Sequence, residues 1–156
     1  MADAAGGYKI PESVLVVIHT RALDVLLIER ADRPGFWQSV TGSRHAGEAF
    51  PDTAVREVGE ETGIVIGASD LVDWRLANRF RIFERWRGRF APGVTHNTEH
   101  VFGLCLPDRV PVRLEPREHL AHEWLPWQAA LARVFSWTNA DALRLLGLRG
   151  GNPPPC

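Results

Sequence analysis

One stretch constrains this chain more than any other: residues 42–64, GSRHAGEAFPDTAVREVGEETGI. Pro51 suits the first turn of a helix, since it has no N–H to lose there and its φ is already set. Asp52 puts negative charge where the helix dipole favours it. Gly63 stands where a left-handed residue would end the helix. Between these limits Ala54, Val55 and Val58 form an apolar arc at helical spacing. Glu57, Glu60 and Glu61 fall at i, i+3 and i+4 and share the neighbouring face. The stretch therefore predicts a helix with one side on a core and three carboxylates on an exposed side.

Three like charges on one face repel. A hard divalent cation would resolve the repulsion, because Mg²⁺ takes carboxylate oxygens, keeps several waters and bridges to phosphates. The plainer alternative is a solvated acidic face with Arg56 as its ion-pair partner.

The spacing is more specific than the helix. Gly42 is followed by Glu48, then by Arg56-Glu57-Val58, Glu60-Glu61 and Gly63-Ile64. This resembles the Nudix box, G-x5-E-x7-R-E-U-x-E-E-x-G-U with U apolar. Every fixed position matches, which chance would produce on the order of once in 10⁸ windows.

A length of 156 residues fits one domain, expected over 8–148, with flexible ends at 1–7 and 149–156. A net charge of −1 argues against a general nucleic-acid binder. Cys105 and Cys156 make neither a disulfide framework nor a zinc site, so a reducing compartment is expected. No signal-peptide pattern and no membrane-spanning apolar run is present, which points to the cytoplasm and to no membrane partner.

In chain order, residues 13–19 are a nearly continuous β-branched run, as expected of a strand buried on both faces. Residues 24–30 are a second strand and its expected hairpin partner. Residues 37–41 are a short strand delivering Gly42, where backbone can approach a ligand closely. Residues 71–77 and 97–106 are further strand candidates. In 79–90 arginines alternate with Phe80, Ile82, Trp86 and Phe90, a period of two that predicts a strand or hairpin with an arginine face. A helix is expected over 126–135 and another over 140–148, with an N-cap offered within 136–139. Among the histidines, His19, His45, His96, His100 and His122 have no pattern partner. His119 adjoins Glu118 but is read as structural. Nothing resembles a Ser-His-Asp system or a Gly-rich phosphate loop.

The resemblance implies an α/β (α+β) fold, an α/β/α sandwich with a mixed β-sheet and helices on both faces. Beyond the box, Tyr8-Lys9 with Pro11, FWQSVTGS at 36–43, APGVT with NTE at 91–99, EHLA at 118–121 and Ser136-Trp137 with Asn139 are similar to one bacterial group, the dihydroneopterin triphosphate pyrophosphatases of folate synthesis. That similarity implies Mg²⁺, or Mn²⁺ in its place, on Glu57, Glu61 and Glu118, with Glu60 a further ligand or the group that activates water. It implies catalysis by Glu57, Glu60 and Arg56, with Arg56 acting through an ion pair that positions a box glutamate, Gly42 in support, and Glu48 either in support or a distal metal ligand. It implies a small-molecule triphosphate held by Lys9, Arg30, Thr41, Phe80, Arg81, Ile82, Phe83 and Ser136, in a monomer or homodimer. Arg81 departs from the pattern, since an acidic residue is expected there. The alternative substrate is a nucleoside triphosphate such as dATP, and a third reading is a binding module without turnover.

Overall fold

The computed structural model describes residues 7–149 and residue 156. The remaining positions of the two expected flexible ends, 1–6 and 150–155, lie outside the described residues.

β1 (Glu12–Thr20) runs through the middle of a seven-stranded mixed sheet. One of its edges pairs in parallel along its whole length with β6 (His96–Leu106). The other edge is shared, by β2 (Asp24–Arg30) at the His19 end and by β4 (Val40–Ser43) at the Ser13 end, both antiparallel. β5 (Leu71–Arg81) completes one side against β6. On the other side β2 carries β3 (Trp37–Gln38) and β7 (His119–Pro126).

Helices cover both faces, which is why β1 reads as unbroken apolar sequence. Val14, Val16 and Ile18 pack with Ala54 and Val58 of α1 (Phe50–Thr62). Leu15 and Val17 pack on the opposite face with Ala142, Leu143 and Leu146 of α4 (Trp137–Arg149), and α3 (Trp127–Arg133) adds Ala130. α1 has Pro51 in its first turn and ends at Gly63, whose φ of 74° is left-handed and whose N–H bonds the Gly59 carbonyl. No helix among the described residues is long and apolar enough to cross a membrane.

Several expectations need correction. The β1–β2 hairpin is only a base, with the single pair His19–Val25, because beyond it β1 pairs with β4 and β2 with β3, while β2 also pairs along its length with β7, a strand not expected from the sequence. The arginine alternation stops at Arg81. The chain then turns through α2 (Glu84–Arg87), so Arg85, Arg87 and Arg89 leave the strand. Aromatic packing accounts for the turn: Phe83 and Trp86 have centroids 5.3 Å apart, and Trp86 meets Phe135 edge-on at 6.1 Å. The last helix starts at Trp137, three residues earlier than expected, and the Ser136 hydroxyl accepts from the Asn139 N–H (3.2 Å) as its cap. Cys105 on β6 and Cys156, expected to make no disulfide framework, come together, with Cα atoms 4.9 Å apart.

Candidate active site

A cleft of about 970 Å³ opens where β2 and β4 part company on the edge of β1. α1 brings Glu57 and Glu61 to it, and β4 brings Thr41, Gly42 and Ser43. Glu118 and His119 arrive at the start of β7, and Arg30 from the end of β2. Lys9 is tied in by a backbone bond from its N–H to the Arg89 carbonyl (2.8 Å). Phe80, Arg81, Ile82 and Phe83 line the cleft from the end of β5, and Ser136 from the start of α4.

The helix does not present an exposed acidic face. Glu57 and Glu61 are only 6% and 5% exposed, because their side of α1 lies against β4. Burial pushes the Glu57 carboxyl up to about 7 against the pull of Arg56. Burial pushes Glu61 well above the usual range, and the neighbouring charges of Glu57 and Glu118 add to it. Glu61 Oε2 has no hydrogen-bond partner among the described residues. Ligating atoms of Glu61, Glu118 and His119 lie within 4.8 Å of one another. Clustered buried carboxylates, of which only Glu57 has an ion-pair partner at contact distance, an orphaned oxygen and a predominantly hard-oxygen donor set fit a divalent cation.

Arg56, Glu60 and Glu48 lie outside the cleft lining. Arg56 works from behind. Its Nη1 donates to Glu57 Oε1 (2.7 Å), its Nε to Glu48 Oε2 (2.9 Å), and its Nη2 to Glu48 Oε1 and the Ser43 carbonyl (3.0 Å each). Glu48 also accepts from the Thr53 hydroxyl and the His45 N–H, and Arg56's hydrogen bonds hold its carboxyl down at about 2. Glu60 reaches Arg56 only at 3.4 Å and is partly exposed.

Arg30 is gripped by Asp32 through two bonds of 2.7 and 2.8 Å and lies 4.3 Å over the Trp86 ring. Trp86 Nε1 and Arg89 donate to the same carboxylate. Burial, with Arg89 next, lowers the Lys9 pKa from its ordinary value. Arg81 is exposed and makes no ion pair among the described residues.

The sequence assigned no site role to three polar groups of the cleft. His119 is buried, and burial with the charge of Arg30 lowers it to about 4, so its ring is neutral. Asn97 and Glu99 stand two apart on β6 and are both buried. Their signals were polar residues at alternate positions leading into an otherwise apolar strand and a place in the NTE stretch of the family similarity, neither of which gave them a role.

The NUDIX domain family matches residues 9–146. The chain belongs to the Nudix family. This Nudix hydrolase is 46% identical to the dihydroneopterin triphosphate diphosphatase of Escherichia coli K12 over 139 residues, covering 87% of this chain and 91% of the relative. It is 39% identical over 142 residues to the protein of the same name from Haemophilus influenzae, covering 88% of this chain and 87% of that one. The solved E. coli dihydroneopterin triphosphate pyrophosphohydrolase superposes with a TM-score of 0.85 at 44% identity, over 92% of this chain and 99% of that chain. Nudix hydrolases depend on divalent metal, in keeping with the acidic cluster of this one.

Proposed function

We propose that this Nudix hydrolase uses Mg²⁺, with Mn²⁺ able to substitute, to split dihydroneopterin triphosphate into dihydroneopterin monophosphate and pyrophosphate, a cytoplasmic step of folate synthesis. The carrying observation is the meeting in one cleft of the buried carboxylates Glu57 and Glu61, Glu118 beside them, and the cations Arg30 and Lys9. The names and similarity of the two relatives support the pterin substrate.

One water adds to phosphorus and the bond between the α- and β-phosphates breaks, leaving on pyrophosphate. The barrier comes largely from negative charge on the phosphate chain. A divalent cation, when bound, supplies countercharge to those oxygens and makes water a better nucleophile. Glu57, Glu61 and Glu118 would hold it. Arg56 is a positioning residue: its bond to Glu57 Oε1 fixes which oxygen faces the cleft. Arg30 and Lys9 present fixed positive charge to the phosphates. Asp32 holds Nε and Nη2 of Arg30, which orients the guanidinium and leaves further N–H groups for phosphate oxygens.

The test is pyrophosphate release with Mg²⁺ from dihydroneopterin triphosphate beside the common nucleoside triphosphates. A lead in kcat/KM for the pterin upholds the reading. A lead for dATP, or equal rates on all, replaces it with a general nucleotide hydrolase in which Arg81 has altered recognition at the 80–83 segment.

A further inference from the structure

Glu99 has no part in the mechanism above, yet it lines the cleft with only 5% of its surface exposed. Its Oε1 has no hydrogen-bond partner among the described residues, and neither has Oδ1 of Asn97 two positions earlier. The Thr138 hydroxyl already bonds the Glu99 carboxyl, which leaves Oε1 open, and the nearby amides are engaged elsewhere. Asn97 Nδ2 donates to Ser13 Oγ (2.7 Å), and the Asn139 amide is used twice on Ser39, accepting from its N–H (2.8 Å) and donating to its hydroxyl (3.0 Å). A buried acceptor left without a donor is costly, so two side by side at a cleft wall imply a donor brought by a ligand.

The sheet register says how far these acceptors stand from the acidic cluster. Glu99 pairs with Ser13 of β1, which pairs on its other edge with Ser43 of β4. The next residue, Gly42, touches Glu57. Two strand spacings, roughly 10 Å, therefore separate the Glu99 backbone from the strand that abuts Glu57. A bicyclic base with a short linker spans that scale when its phosphates sit at the glutamates.

We propose that Glu99, with Asn97 beside it, reads the base: the carboxylate accepts the ring N–H and the exocyclic amino N–H of a 2-amino-4-oxopyrimidine edge. A pterin presents that pair of adjacent donors, and so does guanine. Adenine presents one donor beside a ring-nitrogen lone pair, which a carboxylate repels. The pterin half of this assignment rests on the function proposed above; the choice of edge does not. Burial pushes the Glu99 carboxyl up to about 7, against the pull of its hydrogen bond from Thr138.

The experiment compares kcat/KM for dihydroneopterin triphosphate, dGTP, dITP and dATP in the wild type and in Glu99→Gln. In the wild type dGTP exceeds dITP, which lacks the amino group, by roughly 10-fold, and exceeds dATP by more. Glu99→Gln lowers the pterin and dGTP values by roughly 10- to 100-fold and leaves dATP equal or higher, because an amide offers the donor and acceptor that adenine needs. Equal loss on every substrate, or no loss on any, overturns the assignment. The dGTP, dITP and dATP order in the wild type needs no variant, so a misfolded Glu99→Gln leaves a decisive reading: no preference for dGTP sinks the idea. Wild-type turnover of dGTP without turnover of the pterin ends the pterin function while still testing the edge. With no turnover of any substrate, neopterin binding followed by its own fluorescence decides. Binding lost in Glu99→Gln upholds the role, and absent or unchanged binding overturns it.

Discussion

Gly42 lies directly against the Glu57 side chain: a β-carbon at position 42 would overlap the Glu57 carboxyl group. That carboxyl cannot swing aside freely, since Arg56 holds one oxygen at 2.7 Å and the residue is buried. Gly42→Ala should therefore displace Glu57 from its place at the cleft. A displacement near 1 Å in a catalytic group costs on the order of 100-fold. We expect kcat for pyrophosphate release to fall by about that factor, with weaker Mg²⁺ activation. A variant with wild-type kcat and metal dependence would show that the contact is slack.

Glu61 is the most deeply buried of the acidic cluster and has an oxygen with no partner. Outer partners of a metal cost about 10–100-fold when removed, and a direct ligand should cost more. Glu61→Gln is expected to lower kcat by more than about 100-fold and to weaken Mn²⁺ binding, measured by paramagnetic titration. Its metal-free melting temperature should not fall, because the substitution replaces a carboxyl whose ionisation is disfavoured by burial with a neutral amide of the same shape. Near-full turnover would remove Glu61 from the ligand set.

The raised carboxyls make the metal-free protein sensitive to alkali. Glu57 and Glu99 are held up to about 7 and Glu61 is held well above its ordinary value, against 4.5 in the unfolded chain. The folded state thus binds more protons than the unfolded one between about pH 4.5 and 7 or above. Stability from these groups is fully present below 4.5 and is lost as pH rises through the folded values. His19 and His119, held below 6.5, act in the opposite sense at and below that pH, and Lys9, held below 10.5, opposes the carboxyls in the alkaline range. In EDTA the melting temperature should fall by at least about 3 °C from pH 7 to 8.5. Mg²⁺ should stabilise more at the higher pH. A flat profile in EDTA would contradict the burial argument.

Asp32 occupies the fork of Arg30 and also accepts from Trp86 and Arg89. It joins the β2 end to the segment that follows α2 across the mouth of the cleft. Asp32→Asn should leave kcat within about 3-fold. It should lower KM for the triphosphate if competition for Arg30 dominates, and raise it if the loss of order in the 80–90 segment dominates. Salt dependence separates the two, since only the first is electrostatic. No change in KM would show that Arg30 does not reach the substrate.

The box helix was legible because its signals are local. Pro51, the arc of Ala54 and Val58, and Gly63 act within a few residues, and the structure keeps the helix within one residue of those limits. β1 and β6 were legible for a similar reason, as apolar runs long enough to need cover on both faces. The 79–90 segment was not: its alternation is real as far as Arg81, but packing among Phe83, Trp86 and Phe135 turns the chain. The Cys105–Cys156 link was also out of reach, because two cysteines at a separation of 51 carry no pairing information.

By itself the sequence determined the Nudix box, the helix that carries it, the sandwich class and most of the residues that meet in the cleft, since identity and spacing along one helix fix which side chains share a face. Only the tertiary structure decided that the carboxylates are buried, that Arg56 stands behind Glu57, and that His119, Asn97 and Glu99 join the same cleft. Burial and partnership depend on which strand lies across from which. That register is set by packing over the whole sheet and has no local signature in the chain.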